Sequence, residues 1–358
     1  MEDTPMTVRD PKDLAQHPEA PERRDFLKGA AVGGVVAAAT AHVAQVAITP
    51  AQAQTPAVQP WWPSRWGADD QSGASNHITP AKVLEATKWI RDGKIHRIGR
   101  VSESAMPKFG DRAFTLRIPG NPTGGPFGGN KLVYNDEYLA TEIGQTGTQF
   151  DGLAHIGLQT GRDGDTNDMI YYNGIRGSAL GGSTGVKKLG IEHIKPIFTR
   201  GHLIDVMAQR GAMMDAGQEV TMADVRGALA KQNMSENDVQ PGDAVFFHTG
   251  WGSLWMRNNE RYASGEPGPG LEVARWLIEK QVVVMGGDSW GVECVPNPDR
   301  NLAFPVHAEL ITKNGIFIHE NLQFDSLLAD RKYQFVYVMC PIPIKGATGS
   351  PGGPIAIT

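Results

Sequence analysis

The run QTGTQFDGLAH, residues 145–155, places four side chains able to hold a proton, a metal or a polar substrate within three turns of chain. On an extended strand, residues two apart share a face. Gln145, Gln149 and Asp151 are therefore predicted to point the same way, with Gly147 leaving space between them. Gly152 permits a turn, and His155 can then return over the strand end. Three oxygen-bearing side chains and an imidazole around one point suit acid–base work or metal binding.

A second constellation is HAELITKNGIFIHENL, residues 307–322. His307 opens a predicted short helix over 307–313, and Glu320 ends a predicted strand over 316–320. A tight turn at Asn314-Gly315 brings those two ends to the same side, and a histidine converging with a carboxylate is a plausible pair of metal ligands. A third, GDSWG at 287–291, fits G-x-S-x-G, whose serine is a nucleophile only where a helix follows at once. Pro296 and Pro298 oppose such a helix, so Ser289 is expected to pack near a site rather than react. His248 ends a predicted strand ahead of Thr249-Gly250-Trp251, which makes His248 and Trp251 candidates for substrate or weak metal contacts. His77, His96, His193 and His202 lack partners at ligand spacing and read as structural.

The elements that must position these residues follow from local signals. Thr79-Pro80 caps a predicted helix over 81–91 that Gly93 stops. Residues 105–130, rich in Gly, Pro and Phe, read as a long loop able to act as a lid. Residues 138–151 read mainly as strand. Thr221 and Asp224 cap a helix over 221–231. Pro241-Gly242-Asp243 turns into a strand over 244–248; a helix over 271–280 and strands over 282–285 and 334–340 follow. A strand–helix–strand crossover near 244–285 makes the fold α/β.

The N-terminal end carries a different message. Arg23-Arg24-Asp25-Phe26-Leu27-Lys28 resembles the twin-arginine export motif, a weakly apolar Ala/Gly/Val run follows, and Ala51-Gln52-Ala53 offers a cleavage site. The expected organisation is a cleaved signal over 1–53, a linker over 54–63 and one domain over 64–358. Export through the twin-arginine machinery would leave a periplasmic or secreted protein with no membrane segment after cleavage. A formal net charge of −5 over 358 residues opposes nucleic-acid binding, which needs a basic face. Two cysteines, Cys294 and Cys340, exclude a disulfide scaffold and a cysteine-rich zinc module, and are expected as buried free thiols.

Four segments resemble the cyclase family, whose best-known members are the bacterial kynurenine formamidases: RWGADD at 65–70, GTQFDGLAH at 147–155, Gly242-Asp243 through Thr249-Gly250-Trp251, and His307 through Glu320-Asn321-Leu322. The resemblance implies a swivelling β/β/α-type single domain with a barrel-like mixed sheet, assembled as homodimers or homotetramers. It implies metal-dependent hydrolysis of a small-molecule amide, or of an ester or lactone in some branches. The family pattern H-x-x-x-H-x-D-x-x-x-H implies Asp151 as a bridging metal ligand, His155 as the acid/base, and His307 and Glu320 as the distant ligands. Here Gln145 and Gln149 stand at both ligand-histidine positions. An amide oxygen is neutral and a weaker ligand, better suited to hard ions than to zinc. The expectation is therefore one divalent ion, zinc or manganese, on Asp151, His307 and Glu320, with Gln145 and Gln149 as substrate or weak metal contacts. The expected reaction is hydrolysis of an amide or related C–N bond, with ester or lactone hydrolysis as its alternative. A non-catalytic binding protein is the competing class, opposed by the joint retention of Asp151, His155, His307 and Glu320.

Overall fold

Short apolar runs too brief for a helical period form the buried heart of the molecule. In a computed structural model, which describes residues 60–358, nine of them pair into one sheet. In chain order these are β1 (Ile95–Arg97), β2 (Gln149–Asp151), β3 (Ile197–Asp205), β4 (Ala244–His248), β5 (Val284–Gly287), β6 (Phe317–Glu320), β7 (Gln334–Met339), β8 (Gly349–Pro351) and β9 (Ile355–Ile357). Their spatial order is β1-β9-β7-β3-β4-β5-β6-β2-β8, and the sheet curls into a half-barrel. Strands β3 to β6 run parallel, so Asp205, His248, the residue after Gly287, and Glu320 all lie at carboxyl ends on one edge. Strand β2 closes onto β6 antiparallel, with Glu320 opposite Gln149 and Ile318 opposite Asp151. The expected twin-arginine segment lies outside the described residues.

Helices cover the sheet where the local signals put them. Thr79 caps α1 (Pro80–Thr87) by accepting from the Lys82 amide. A reciprocal pair of hydrogen bonds between Thr221 and Asp224 starts α2 (Met222–Lys231). The crossover from β4 to β5 runs through α3 (Leu271–Glu279), whose Val273, Ala274 and Leu277 are fully buried. The Pro241-Gly242-Asp243 turn delivers Asp243 into a buried polar knot. There it accepts from Arg200 at 2.7 and 2.9 Å, from His202 Nε2 at 2.8 Å and from the Gln240 amide at 2.9 Å, and it pairs with Lys82. Burial alone would raise the Asp243 carboxyl, but the His202 hydrogen bond and the charges of Lys82 and Arg200 outweigh it and hold it down at about 2.

Several sequence expectations change. The helix over 81–91 ends at Thr87. The strand expected over 138–151 breaks into Tyr138–Thr141 and β2, because the chain turns between them and Gly147 takes a left-handed φ of +67°. The expected lid is not one loop. Phe114–Arg117 pairs with Tyr138–Thr141, and Gly124–Phe127 with Leu132–Tyr134, in two ribbons that expose Leu116, Phe127, Leu132 and Tyr138. The strand at 282–285 sits two residues later, since Val284 is the partner of Ala244. Trp62, from the expected linker, packs on the domain: a Cβ at Gly174 would lie 2.6 Å from its ring. Cys294 is buried as expected, whereas Cys340 is exposed, and both are free.

Candidate active site

Strand pairing and one turn build the central cluster. Asp151 on β2 is paired with Ile318, and Glu320 on β6 with Gln149, so the two carboxylates are diagonal neighbours two positions apart across this short antiparallel pair. His307 ends the Pro305–His307 turn, and the chain returns through the wide turn Ala308–Lys313 and through Gly315, at φ +66°, into β6. A side chain at 315 would be strained by that φ and would press on the Tyr172 ring at 2.5 Å, so the return depends on glycine. As a result His307 Nε2 lies 3.3 Å from Glu320 Oε1 and 3.7 Å from Asp151 Oδ2. One ligand atom from each of Asp151, His307 and Glu320 falls within 4.8 Å of the others, and all three residues are buried. His155 brings its Nε2 to 3.8 Å from Asp151 Oδ2.

Sequence reasoning missed the residue that aims His307. Glu293 is fully buried and accepts from His307 Nδ1 at 2.6 Å, from the His307 amide at 2.9 Å and from the Val306 amide at 3.1 Å. That contact fixes a proton on Nδ1 and turns Nε2 toward Asp151 and Glu320. Nothing local marks Glu293, which sits in a loop fourteen residues before its partner.

The two glutamines act from different places. Gln149 is on β2, but Gln145 is on the preceding turn, so they do not share one strand face. Both still reach the cluster. Gln145 Nε2 donates to Asp151 Oδ1 at 3.0 Å, and Gln149 Nε2 donates to Glu320 Oε2. Gln145 Oε1 faces the Arg112 guanidinium and the Gln149 amide, each at 3.4 Å.

Charge is heavily unbalanced here. Asp151 is held below the usual carboxylate range: burial opposes this, and His155 and His307 outweigh burial. Burial first, then the charge of Asp151, pushes Glu320 up to about 8. Burial would lower His307, yet Asp151, Glu293 and Glu320 lift it well above the ordinary imidazole range. His155 is lowered, chiefly by burial, with Asp151 acting against. Among the described residues Asp151 Oδ2 is buried without a hydrogen-bond partner. A buried, unpartnered carboxylate oxygen beside a second carboxylate and an imidazole nitrogen fits a divalent cation, and Asp151, His307 and Glu320 would hold it.

A cavity of about 220 Å³ opens over the cluster, lined by Phe109, Arg112, His155, Trp290 and Phe304. Phe109 and Trp290 stack at 4.5 Å between centroids and 14° between planes and form an aromatic part of its wall. His248 and Trp251 do not reach it. Strand β4 lies two positions from β6, about 10 Å at the usual strand spacing. His248 instead lines a separate cavity, and Trp251 is buried with its Nε1 donating to the Tyr262 carbonyl at 3.1 Å. Ser289 is buried and followed by bends rather than a helix, as its prolines implied. Beside it, Glu266 accepts from the Gly291 amide at 2.8 Å, and burial with the nearby Glu320 raises its carboxyl well above the normal range.

The family model named Cyclase matches residues 100–294. The chain belongs to the cyclase family. The matched stretch contains Gln145 through His155 and ends short of His307 and Glu320. A crystal structure described as a novel cyclase is 29% identical, superposes with a TM-score of 0.72, and covers 82% of this chain and 98% of its own. Isatin hydrolase A from Ralstonia solanacearum shares the fold at 19% identity and TM-score 0.54, with 78% of this chain and 97% of that chain covered. Isatin hydrolase A from Labrenzia aggregata, bound to benzyl benzoate, does so at 19% and 0.53, with 74% and 93% covered. No curated protein matches the sequence.

Proposed function

We propose that this protein is a metal-dependent hydrolase acting on an amide or related C–N bond. The observation that carries the reading is the convergence of Asp151, His307 and Glu320 within 4.8 Å, under a cavity that His155 also lines. Asp151, His307 and Glu320 would hold one divalent ion, zinc or manganese. Such an ion supplies Lewis acidity toward a carbonyl oxygen and acidifies water.

The protein's own residues do the rest. His155, whose proton affinity is lowered by burial, is neutral near pH 7 and free to take a proton. It stands close enough to Asp151 for the resulting imidazolium to be stabilised, and it can return the proton to a leaving nitrogen. Glu293 keeps the His307 ring in one orientation. Arg112 and the two glutamine amides offer donors to a polar substrate, and the Phe109–Trp290 stack supplies an aromatic wall.

The relatives whose names specify a hydrolase of isatin support the choice of probes. The test combines elemental analysis of the purified protein with rates on an N-formylaniline, isatin, an aryl ester and an aryl lactone. Amide or cyclic-amide turnover that a chelator abolishes supports the reading. Turnover of only the ester or lactone favours the neighbouring chemistry. Absence of bound metal with no turnover refutes hydrolysis. The Arg23-Arg24 segment supports export to the periplasm, and two or four copies are the proposed assembly.

A further inference from the structure

A second cavity opens on the same sheet edge, lined by residues at or after the ends of β3, β4, β5 and β6, with a volume of about 330 Å³. None of the residues that would hold the metal lines it. Ligands of open parallel sheets favour this edge, outside the carboxyl ends of the strands.

Two nitrogen-bearing side chains, His248 and Arg100, line this space. His248 binds Asp205 through Nδ1 at 2.8 Å, while its Nε2 is 3.9 Å from Asp288 Oδ2, beyond hydrogen-bond reach. Arg100 lays its guanidinium over the Trp255 ring, 5.0 Å from the centroid, and among the described residues its buried Nε has no partner. The backbone makes room for this arginine: a Cβ on Gly252 would fall 2.3 Å from Arg100 Nη2.

Two acids, Asp288 and Asp325, and a further cation, Arg257, also line the cavity, and Asp205 lies behind His248. Asp288 already accepts from the Thr249 amide at 3.0 Å, the Thr249 hydroxyl at 2.8 Å and the Gly252 amide at 3.1 Å. Asp205 is engaged by His248 and by the Ala208 amide at 3.1 Å. Asp325 is exposed at the rim. Burial would lower His248, but its bond to Asp205 and the charge of Asp288 raise it, so the ring gains donor character at Nε2. Met207, Trp255, Phe324 and Leu328 supply apolar wall.

We propose that this cavity is a second binding site, taking a small organic carboxylate whose charged end sits between Arg100 and His248 and whose apolar body lies against Trp255, Phe324 and Leu328. A site of this volume suits a molecule of the size of an arylacetic acid. It is separate from the hydrolytic centre and does not depend on what that centre hydrolyses.

Calorimetric titration of the metal-loaded protein with phenylacetate tests it, with 2-phenylethanol as the neutral counterpart. Phenylacetate should bind and 2-phenylethanol should not. Arg100→Gln should weaken phenylacetate by roughly 10- to 100-fold, the effect of losing a charge-assisted bond. Ser253→Phe, a change at an exposed lining residue that leaves the charges intact, should block binding by filling the cavity. Asp151→Asn, which damages the metal cluster, should leave binding unchanged. No phenylacetate binding, equal affinity for the alcohol, binding that survives both Arg100→Gln and Ser253→Phe, or binding lost in Asp151→Asn each overturn the proposal.

Discussion

Gln149 and Glu320 stand directly opposite each other in the antiparallel pairing of β2 with β6, and the Gln149 amide donates to the Glu320 carboxylate. The side chain at a ligand-histidine position of the family pattern is thus turned to hydrogen-bond a carboxylate by its nitrogen. Gln145 does the same to Asp151. Two amide donors occupy the space in which two further ligands would stand.

Changing both glutamines to histidine should therefore convert the centre. Metal content of Gln145→His/Gln149→His protein should rise from about one ion per chain toward two, with lower activity on the native substrate. Mass spectrometry of metals in protein dialysed against zinc reads the first; steady-state kinetics reads the second. If zinc content stays constant, and single alanine changes leave KM and kcat untouched, the glutamines only fill space.

His155→Ala should keep the fold and the metal and lose turnover by roughly 10²–10⁴-fold, the usual worth of a general acid–base group. Melting curves and metal content measured beside the rates separate this from a structural role. Near-normal turnover in the variant removes His155 from the chemistry.

Glu293→Gln should weaken metal binding by about 10–100-fold, the usual cost of losing a carboxylate behind a ligating histidine. The reason is the contact with His307 Nδ1, which an amide matches poorly while it also accepts two backbone amides. Competition with a chromophoric chelator measures the affinity without reference to any substrate. Unchanged affinity would mean that His307 is aimed by backbone packing alone.

Acid should destabilise the fold through Asp243. Its carboxyl lies at about 2 in the folded protein against an ordinary 3.8. A carboxyl depressed on folding contributes stability that is complete above its unfolded value and is lost as pH falls through the folded value. The loss should run between pH 4 and pH 2 and amount to about 2 kcal/mol. Asp243→Asn should lose that dependence. It should also cost about 3–5 kcal/mol at neutral pH, because Arg200 would remain buried without its counter-charge and Lys82 would keep only the exposed Glu85. Urea titrations of both proteins across the pH range provide the measurement.

Local signals in the sequence determined the pieces. The Thr221–Asp224 box began its helix, the apolar run at Ala244–His248 became its strand with the expected bounds, and the glycine turn at 315 returned the chain so that His307 and Glu320 converge. Each depends on a few neighbouring residues, so pattern and spacing carry it. Asp151, His155, His307 and Glu320 were legible from spacing together with the cyclase-family pattern, and all four line or form one centre. What remained hidden depends on partners far apart in sequence. The turn at Gly147 took Gln145 off the strand, yet side-chain reach still brought it to Asp151. His248 ended a strand as expected, but β5 stands between its strand and that of Glu320, and strand order is a tertiary choice. Glu293 acquired its role only when its loop folded over the turn before His307. Local chemistry sets which backbone shape a segment adopts; which buried charge meets which is settled by sheet register and packing, where long-range contacts decide.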